Sequence, residues 1–247
     1  MTPAPEDTVD TEEVRHFSAL AAEWWDPAGP MAPLHRLNPV RLAWIRDQVA
    51  EAFGRDPKSS AILSGLRLLD IGCGAGLAAE PFRRMGGDVV AIDPDEANIA
   101  IARRHAEESG LAIDYRAATA ETLAAGGERF DIVTALEVVE HVTDVPAFIG
   151  TAASMLKPGG LLIVATINRT AKAFLLAIVG AEYVLRWLPR GTHHYEKLVT
   201  PAEIESACAL SGLLIAGRTG IAYTPIADRW RLSHDMDVNY MMSARAP

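Results

Sequence analysis

The sequence predicts an α/β protein built around a mostly parallel β-sheet, and two features carry this prediction, one in the middle of the chain and one near its end. Short apolar segments alternate with amphipathic segments of helical spacing, most clearly at 95–109 and 144–156. Strands that are buried on both faces and separated by helices are typical of parallel sheets with right-handed crossovers. The last two apolar segments follow one another without a crossover helix, which indicates an antiparallel hairpin at one sheet edge. The predicted strands are 66–70, 89–93, 113–117, 130–136, 161–166, 213–219 and 238–244.

Length and composition limit the kind of protein further. The 247 residues are enough for one large domain, and an apolar fraction of 49% excludes a disordered chain. The 32 Asp and Glu residues outnumber the 23 Lys and Arg residues, so a nucleic-acid partner is not expected. Cys73 and Cys208 show neither metal-binding nor redox spacing, which indicates a reducing, cytoplasmic compartment. We recognise no secretory signal, transit peptide or membrane-spanning segment.

The predicted organisation is a flexible tail followed by one domain with two helical additions. The tail is 1–13 and the domain is 14–247. Within the domain, 14–58 is expected to form a helical cap before the first strand. A helical insertion is expected at 167–199, after the fifth strand.

Two helix starts are marked by local signals. Asn38 is expected to be an N-cap with Pro39 in the first turn of a helix that runs to about Phe53. Thr200 precedes a proline and has Glu203 three residues later, which is the capping-box pattern. We therefore expect helices to begin at both places.

The first predicted strand leads into a glycine-rich turn. Asp70 precedes a G-x-G-x-G pattern formed by Gly72, Gly74 and Gly76. Glycines let the backbone turn sharply and approach a ligand, and the following helix presents free N–H groups. The spacing differs from the G-x-G-x-x-G pattern of dinucleotide-binding folds. Taken alone, such a turn is explained equally well as a tight strand-to-helix connection.

The ends of the next two strands favour a bound nucleoside. The second strand ends in Asp93, where a carboxylate can accept hydrogen bonds from ribose hydroxyls. Ala120 and Glu121 follow the third strand and are expected to flank an adenine ring. The glycine turn and these residues together predict binding of an adenosyl ligand, with Asp70 among the residues at the site.

This combination resembles the class I S-adenosylmethionine-dependent methyltransferases. The resemblance covers about 60–166 and the closing hairpin. It implies a Rossmann-like, seven-stranded, mostly parallel sheet with an antiparallel last strand. In that family the glycine turn, here Gly72, Gly74 and Gly76, approaches the amino-acid end of the cofactor, and the acid matching Asp93 holds the ribose. A sulfonium cofactor has no pyrophosphate, which agrees with the shorter glycine spacing.

Several stretches outside this core resemble one subfamily, the ubiquinone-biosynthesis O-methyltransferases. They are Phe17 with 23–26, then 33–42, 137–142, 179–183, 189–193 and 237–241. The resemblance implies methylation of a phenolic hydroxyl of polyprenylated catechols at two steps, on 2-polyprenyl-6-hydroxyphenol and 3-demethylubiquinol. It also implies other ubiquinone-biosynthesis proteins as partners, and places Arg41 and Leu136 beside the cofactor. The alternative for Arg41 is a solvated cation on a helix face.

Glu137, Glu140 and His141 follow the fourth strand and are the predicted catalytic residues. A phenol has a pKa of about 10, so a base or a metal ion must favour the phenolate. If the segment is helical, these positions share one face and could hold a divalent cation that the catechol oxygens chelate. The resemblance implies magnesium in some members, although imidazole is better suited to Mn²⁺ or Zn²⁺. The alternatives are His141 as a base without metal, or a solvated or capping role.

The predicted insertion has an interfacial character. Residues 171–188 are too apolar for a solvated helix and too interrupted to span a bilayer. The cations of this region, which predict attraction to anionic lipid, are Arg169, Lys172, Arg186 and Arg190. A polyprenylated substrate lies in the bilayer, so we expect peripheral contact with the inner face of the cytoplasmic membrane. The alternative is a lid or dimer helix packed on the core.

Other functions remain open at this point. A methyltransferase for a soluble phenol or acid has the same core pattern. A nicotinamide oxidoreductase has a similar fold but is disfavoured by the G-x-G-x-G spacing and the terminal hairpin. A non-catalytic membrane-docking protein with a cofactor-binding fold is a third alternative. Of Trp24 and Trp25, one is expected to pack on the sheet and the other to line a lid over an aromatic ring.

Overall fold

A computed structural model describes residues 8–10, 23–29, 31–175, 195–224 and 229–247. One eight-stranded sheet, of order β3-β2-β1-β4-β5-β8-β6-β7, forms its centre. Neighbouring strands from β3 to β5 are parallel, whereas β8 is antiparallel to β5 and to β6. The strands are β1 Arg67–Ile71, β2 Asp88–Asp93, β3 Asp114–Ala117, β4 Phe130–Leu136, β5 Leu156–Ile167, β6 Leu214–Thr224, β7 Arg229–Ser233 and β8 Asn239–Arg245.

The predicted α/β class, its parallel part and its antiparallel last strand are confirmed. The two final predicted strands, β6 and β8, pair antiparallel as expected, but the predicted hairpin at a sheet edge is wrong, because β7 lies between them in the chain and β8 lies between β5 and β6 in the sheet. The additional strand β7 lies at the sheet edge, where it pairs only with β6 among the described strands. Its Trp230 lies opposite Tyr223, with ring centroids 5.2 Å apart. The strand escaped prediction because an edge strand of five residues that is largely exposed carries little apolar signal.

The main helices connect the strands and cover both faces of the sheet. The helices predicted from 95, 144 and 200 begin at N-caps: Asp95, Asp144 and the predicted cap Thr200 all accept hydrogen bonds from the first turns of their helices. Thr200 and Glu203 form the full capping box. The helices are α1 Ala32–Phe53, α2 Ala79–Arg84, α3 Glu96–Glu108, α4 Ala120–Ala125, α5 Val145–Ser154 and α6 Pro201–Leu210, with short helical turns at Val139–His141, Ala171–Ala173 and Tyr195–Lys197.

Helix α1 begins earlier than predicted, so the assignment of Asn38 as its N-cap is wrong. The helix starts at Ala32 with a proline in its first turn, and Pro39 lies inside it. Pro33 provides the first-turn signal that the sequence analysis assigned to Pro39. The Asn38 side chain instead donates to the Leu77 carbonyl at 3.3 Å, which ties α1 to the segment after β1.

The core occupies both faces of the sheet, as the two-sided apolar strands predicted. Along β1, Leu68 belongs to the cluster under α1, α2 and α3, whereas Leu69 belongs to the cluster under α4, α5 and α6. Ile132 and Val133 of β4 divide in the same way. With both faces filled, a ligand can approach only at the strand ends.

Part of the predicted tail is bound to the domain. Thr8 is buried, its carbonyl accepts the Thr143 N–H at 2.9 Å, and Val9 forms a β-bridge with Val142. The flexible tail predicted at 1–13 therefore does not include 8–10. Residues 14–22 of the predicted helical cap, Phe17 included, and 176–194 of the insertion lie outside the described residues. Within the described part of the chain, no helix is both long and apolar enough to cross a bilayer.

Candidate active site

The glycine turn after β1 requires glycine at each of its three positions. Gly72, Gly74 and Gly76 have φ angles of 66°, 52° and 92°. These angles lie in or near the left-handed region, which other residues adopt at a cost. A Cβ at Gly72 would also lie 2.5 Å from Val138, and those at Gly74 and Gly76 would overlap with aromatic side chains. The loop therefore places bare backbone at the carboxyl end of β1.

Asp93, at the end of β2, holds this loop in place. Its Oδ2 accepts the Gly74 N–H at 2.9 Å, and its Oδ1 accepts from the Asp95 N–H and from the Asn98 side chain. Burial raises the pKa of Asp93, and the hydrogen bonds from Asp95, Gly74 and Asn98 oppose the rise. A carboxylate oxygen has two lone pairs, so Oδ2 keeps one for a further hydrogen-bond donor. This hydrogen bond between Asp93 and the loop was not predicted from the sequence.

Asp70 lies in β1 directly before the loop and is buried. Its Oδ1 accepts the Thr134 hydroxyl at 2.7 Å, whereas none of the described residues donates to its Oδ2. Burial raises the pKa of Asp70 to about 7. Near neutral pH this side chain therefore exists as both acid and carboxylate.

The predicted adenine-flanking residues lie at the start of α4. Ala120 and Glu121 are both buried. Oε1 of Glu121 accepts the Thr8 hydroxyl at 2.6 Å, so the N-terminal segment closes this end of the site. The sequence analysis did not identify Thr8, since its partner lies 113 residues away in the chain.

Arg41 of α1 reaches the end of β4. It is only 3% exposed, so the alternative of a solvated helix-face cation is wrong. Its guanidinium forms an ion pair with Glu137, which directly follows the half-buried Leu136. Glu137 has a φ of 56° and is the only non-glycine residue with positive φ in the described ranges. Such backbone strain is concentrated at functional sites.

The predicted metal-binding face is not formed. Glu140 and His141 lie in the 3₁₀ turn Val139–His141, whereas Glu137 precedes that turn in a left-handed conformation. The three residues therefore do not lie on one helical face. Arg41 supplies the positive charge next to Glu137. Among the described residues, no three His, Cys, Asp or Glu side chains are placed to hold a metal ion together.

Glu140 is instead a buried carboxyl group that interacts electrostatically with Glu137. It is 2% exposed, and its Oε2 accepts the Thr166 hydroxyl at 2.7 Å. Burial raises the pKa of Glu140 well above its ordinary value, and the charge of Glu137 raises it further. Two threonines, Thr134 and Thr166, place hydroxyl groups within apolar stretches of β4 and β5. These hydroxyl groups are the sequence feature that could have indicated the buried acids Asp70 and Glu140.

The sheet order, the glycine loop after β1 and the acid at the end of β2 define a class I S-adenosylmethionine-dependent methyltransferase. Solved structures share this fold. Magnesium protoporphyrin IX methyltransferase from Synechocystis PCC 6803, with bound SAH, has a TM-score of 0.64 at 19% identity and covers 96% of this chain and 94% of its own. The PH0226 protein from Pyrococcus horikoshii has a TM-score of 0.63 at 14% identity, covering 94% and 99%.

Sequence comparison identifies the family within this class of methyltransferases. Residues 38–215 match the methyltransferase domain family. The ubiquinone biosynthesis O-methyltransferase of Sinorhizobium medicae is 62% identical over 100% of both chains. That of Rhizobium rhizogenes is 62% identical over 99% of both. The chain belongs to the ubiquinone biosynthesis O-methyltransferases.

Proposed function

We propose that the acceptor is a phenolic hydroxyl of a polyprenylated catechol, both 2-polyprenyl-6-hydroxyphenol and 3-demethylubiquinol. The general activity is that of the family, S-adenosylmethionine-dependent O-methylation in ubiquinone biosynthesis. The observation that supports the catechol is the identity of 62% along the whole chain with the Sinorhizobium medicae relative. This identity includes the parts outside the methyltransferase core.

The described residues fit the methyl donor. When bound, S-adenosylmethionine supplies an electrophilic methyl group on a sulfonium. We assign the ribose to Asp93, the adenine to Ala120 and Glu121, and the cofactor border to Arg41 and Leu136. The positive φ angles of Gly72, Gly74 and Gly76 let the loop turn sharply at the carboxyl end of β1, where such a ligand binds.

The phenol proton must be removed for the oxygen to attack the methyl group, and the carboxyl pair of Glu137 and Glu140 suits this step. Burial raises the pKa of Glu140, so its carboxylate is a stronger base than that of an exposed glutamate. In this step the phenol proton passes to the Glu140 carboxylate. Arg41 balances the remaining charge. His141, on the same turn, is the alternative base.

Transfer of a labelled methyl group to a short-tail prenylated catechol tests this assignment. We expect Glu140→Gln to lower kcat by about 100-fold, which is the lower end for loss of a general base. We expect His141→Asn to stay within about threefold of the parent. The reverse pattern would assign the base to His141.

A chelator arm of the same assay examines the metal alternative. We expect activity to persist in EDTA, because Arg41 already supplies the charge beside Glu137. Activity that is lost in EDTA and restored by a divalent cation would contradict the carboxyl pair as unassisted base. Equal rates on the prenylated catechol and on a soluble catechol would favour the small-phenol methyltransferase. Binding of S-adenosylmethionine without any methyl transfer would favour the docking protein.

We also propose that the insertion contacts the inner face of the cytoplasmic membrane. Phe174 and Leu175 are 45% and 60% exposed. The cations contribute less than the sequence suggested, because Arg169 is paired with Glu203 and Lys172 with Asp235. The other predicted lipid-facing cations, Arg186 and Arg190, lie outside the described residues. Apolar insertion is therefore the main support for this contact, and interaction with other ubiquinone-biosynthesis proteins remains a separate proposal.

A further inference from the structure

A tryptophan from the N-terminal segment lies on the glycine loop. The six-membered ring of Trp24 occupies the space that a Cβ on Gly74 would fill. The ring is half-buried, and its Nε1 is fully buried but donates to no acceptor among the described residues. A buried N–H without an acceptor costs free energy, so such a donor in a native site points to a missing acceptor.

The neighbouring residue fixes this position. Nε1 of Trp25 donates to the Ala75 carbonyl at 3.0 Å, within the glycine loop itself. The Trp25 ring also stacks on His105, with centroids 3.4 Å apart and an interplanar angle of 4°. His105 is in turn hydrogen-bonded to the buried Glu80 at 2.5 Å. Trp25 is therefore held by the glycine loop and by α3, and this fixes the adjacent Trp24 over the loop.

The sheet order indicates which part of the cofactor meets Trp24. In the proposed function the ribose lies at the end of β2 and the methyl group faces the carboxyl pair at the end of β4. Strand β1 lies between β2 and β4, so its glycine loop underlies the atoms that continue from the ribose through the sulfonium. This part of S-adenosylmethionine carries an amino-acid carboxylate. Indole N–H groups donate well to such an anion.

We propose that Trp24 is a cofactor-binding residue whose indole N–H donates to the carboxylate of the methionine part, with its ring against Gly74. Trp25, His105 and Glu80 are positioning residues that hold it there. The proposal rests on the assignment of S-adenosylmethionine to this site. It adds a ligand contact from the N-terminal segment, which the motifs of the core do not include.

Calorimetric titration of the full chain tests the proposal with two ligands that differ in the amino-acid part, which carries the carboxylate. S-adenosylhomocysteine carries the amino-acid carboxylate, and 5′-deoxy-5′-methylthioadenosine lacks the amino-acid part. Trp24→Phe keeps a ring on Gly74 and removes the N–H. We expect Trp24→Phe to weaken binding of S-adenosylhomocysteine by about tenfold or more, which is the usual effect of losing a hydrogen bond to a charged group. Binding of methylthioadenosine should change by less than about twofold.

Two further variants complete the experiment. Trp230→Phe changes a half-buried tryptophan of β7 and should bind both ligands as the parent does. Trp25→Phe removes the hydrogen bond to Ala75. It should weaken binding of S-adenosylhomocysteine by a few-fold and leave binding of methylthioadenosine unchanged. It provides a second measurement if Trp24→Phe does not fold, which thermal unfolding will show.

Several outcomes would overturn the proposal. One is unchanged binding of S-adenosylhomocysteine by Trp24→Phe. Another is an equal loss for both ligands, which indicates packing alone. Tighter binding by Trp24→Ala would show that the ring occupies the ligand site. If the parent itself binds no S-adenosylhomocysteine, the cofactor assignment fails together with this inference, whereas the other outcomes leave that assignment intact.

Discussion

The backbone N–H of Gly74 donates to Oδ2 of Asp93 at 2.9 Å, which joins the glycine loop to the tip of β2. One carboxylate thus shapes the loop and, in the proposed site, also receives the ribose. We expect Asp93→Ala to weaken binding of S-adenosylhomocysteine by more than about tenfold, because hydrogen bonds to a charged group are lost. The variant should also unfold at a lower temperature, since the Gly74 and Asp95 N–H groups lose their acceptor.

Asp95→Ala is the matched control for this prediction. Asp95 caps α3 by accepting the Ala97 N–H, and its loss should cost about 1 kcal/mol of unfolding free energy. It should leave ligand affinity within about twofold. If both variants lose affinity in proportion to their stability, the assignment of the ribose to Asp93 is contradicted.

Asp70 should make the protein less stable as the pH rises. Burial raises its pKa from 3.8 to about 7, so the folded state binds more protons than the unfolded state between these values. The contribution of this group to stability is complete below about pH 4 and is lost as pH rises through about 7. Asp70→Asn keeps an oxygen for the Thr134 hydroxyl and does not ionise. Urea unfolding should show the stability difference moving in favour of Asp70→Asn from pH 4 to 7. A constant difference would mean that Asp70 titrates normally.

The Arg41–Glu137 ion pair should contribute both to the stability of the fold and to methyl transfer. We expect Arg41→Gln to lower the unfolding free energy by about 2 kcal/mol, less than for a fully buried pair because Glu137 keeps some contact with solvent. Adding Glu137→Gln should recover part of the stability, with a coupling of about 1 kcal/mol in a double-mutant cycle. Methyl transfer should stay low in the double variant. Additive losses in urea unfolding would show that the two side chains do not interact.

Local signals predicted most of the fold. Asp95, Asp144 and Thr200 begin helices because their side chains accept N–H groups only two or three residues away. The strands of the parallel core are apolar on both faces, which short windows of sequence reveal. Strand β7 lacks that signal, since it is largely exposed at the edge.

The sequence indicated only those site residues that lie at or directly after a recognisable strand. The glycine loop follows β1, and Asp93 is the last residue of β2. The contact between Trp25 and Ala75 spans 50 residues, and that between Arg41 and Glu137 spans 96. The left-handed backbone of Glu137 leaves no mark in the sequence, because glutamate has no preference for that conformation. For this reason the predicted helical face of Glu137, Glu140 and His141 was wrong.

Membrane contact should depend on the exposed apolar side chains at the start of the insertion. We expect the double variant Phe174→Glu, Leu175→Glu to co-sediment less with liposomes of anionic and zwitterionic lipid, because acidic groups oppose insertion and are repelled by the anionic headgroups. Raising the salt concentration should reduce co-sedimentation of the parent protein only slightly, since Lys172 is paired with Asp235 and contributes little net charge.

Leu210→Glu is the control for this comparison, because Leu210 is 81% exposed at the end of α6, outside the insertion. If acidic residues near Phe174 act only by making the surface more negative, Leu210→Glu should reduce pelleting about as much per added charge. If the insertion enters the bilayer, Leu210→Glu should pellet like the parent. Unchanged pelleting of the Phe174 and Leu175 double variant would contradict the membrane proposal, and methyl transfer to a short-tail catechol should be unaffected in both variants.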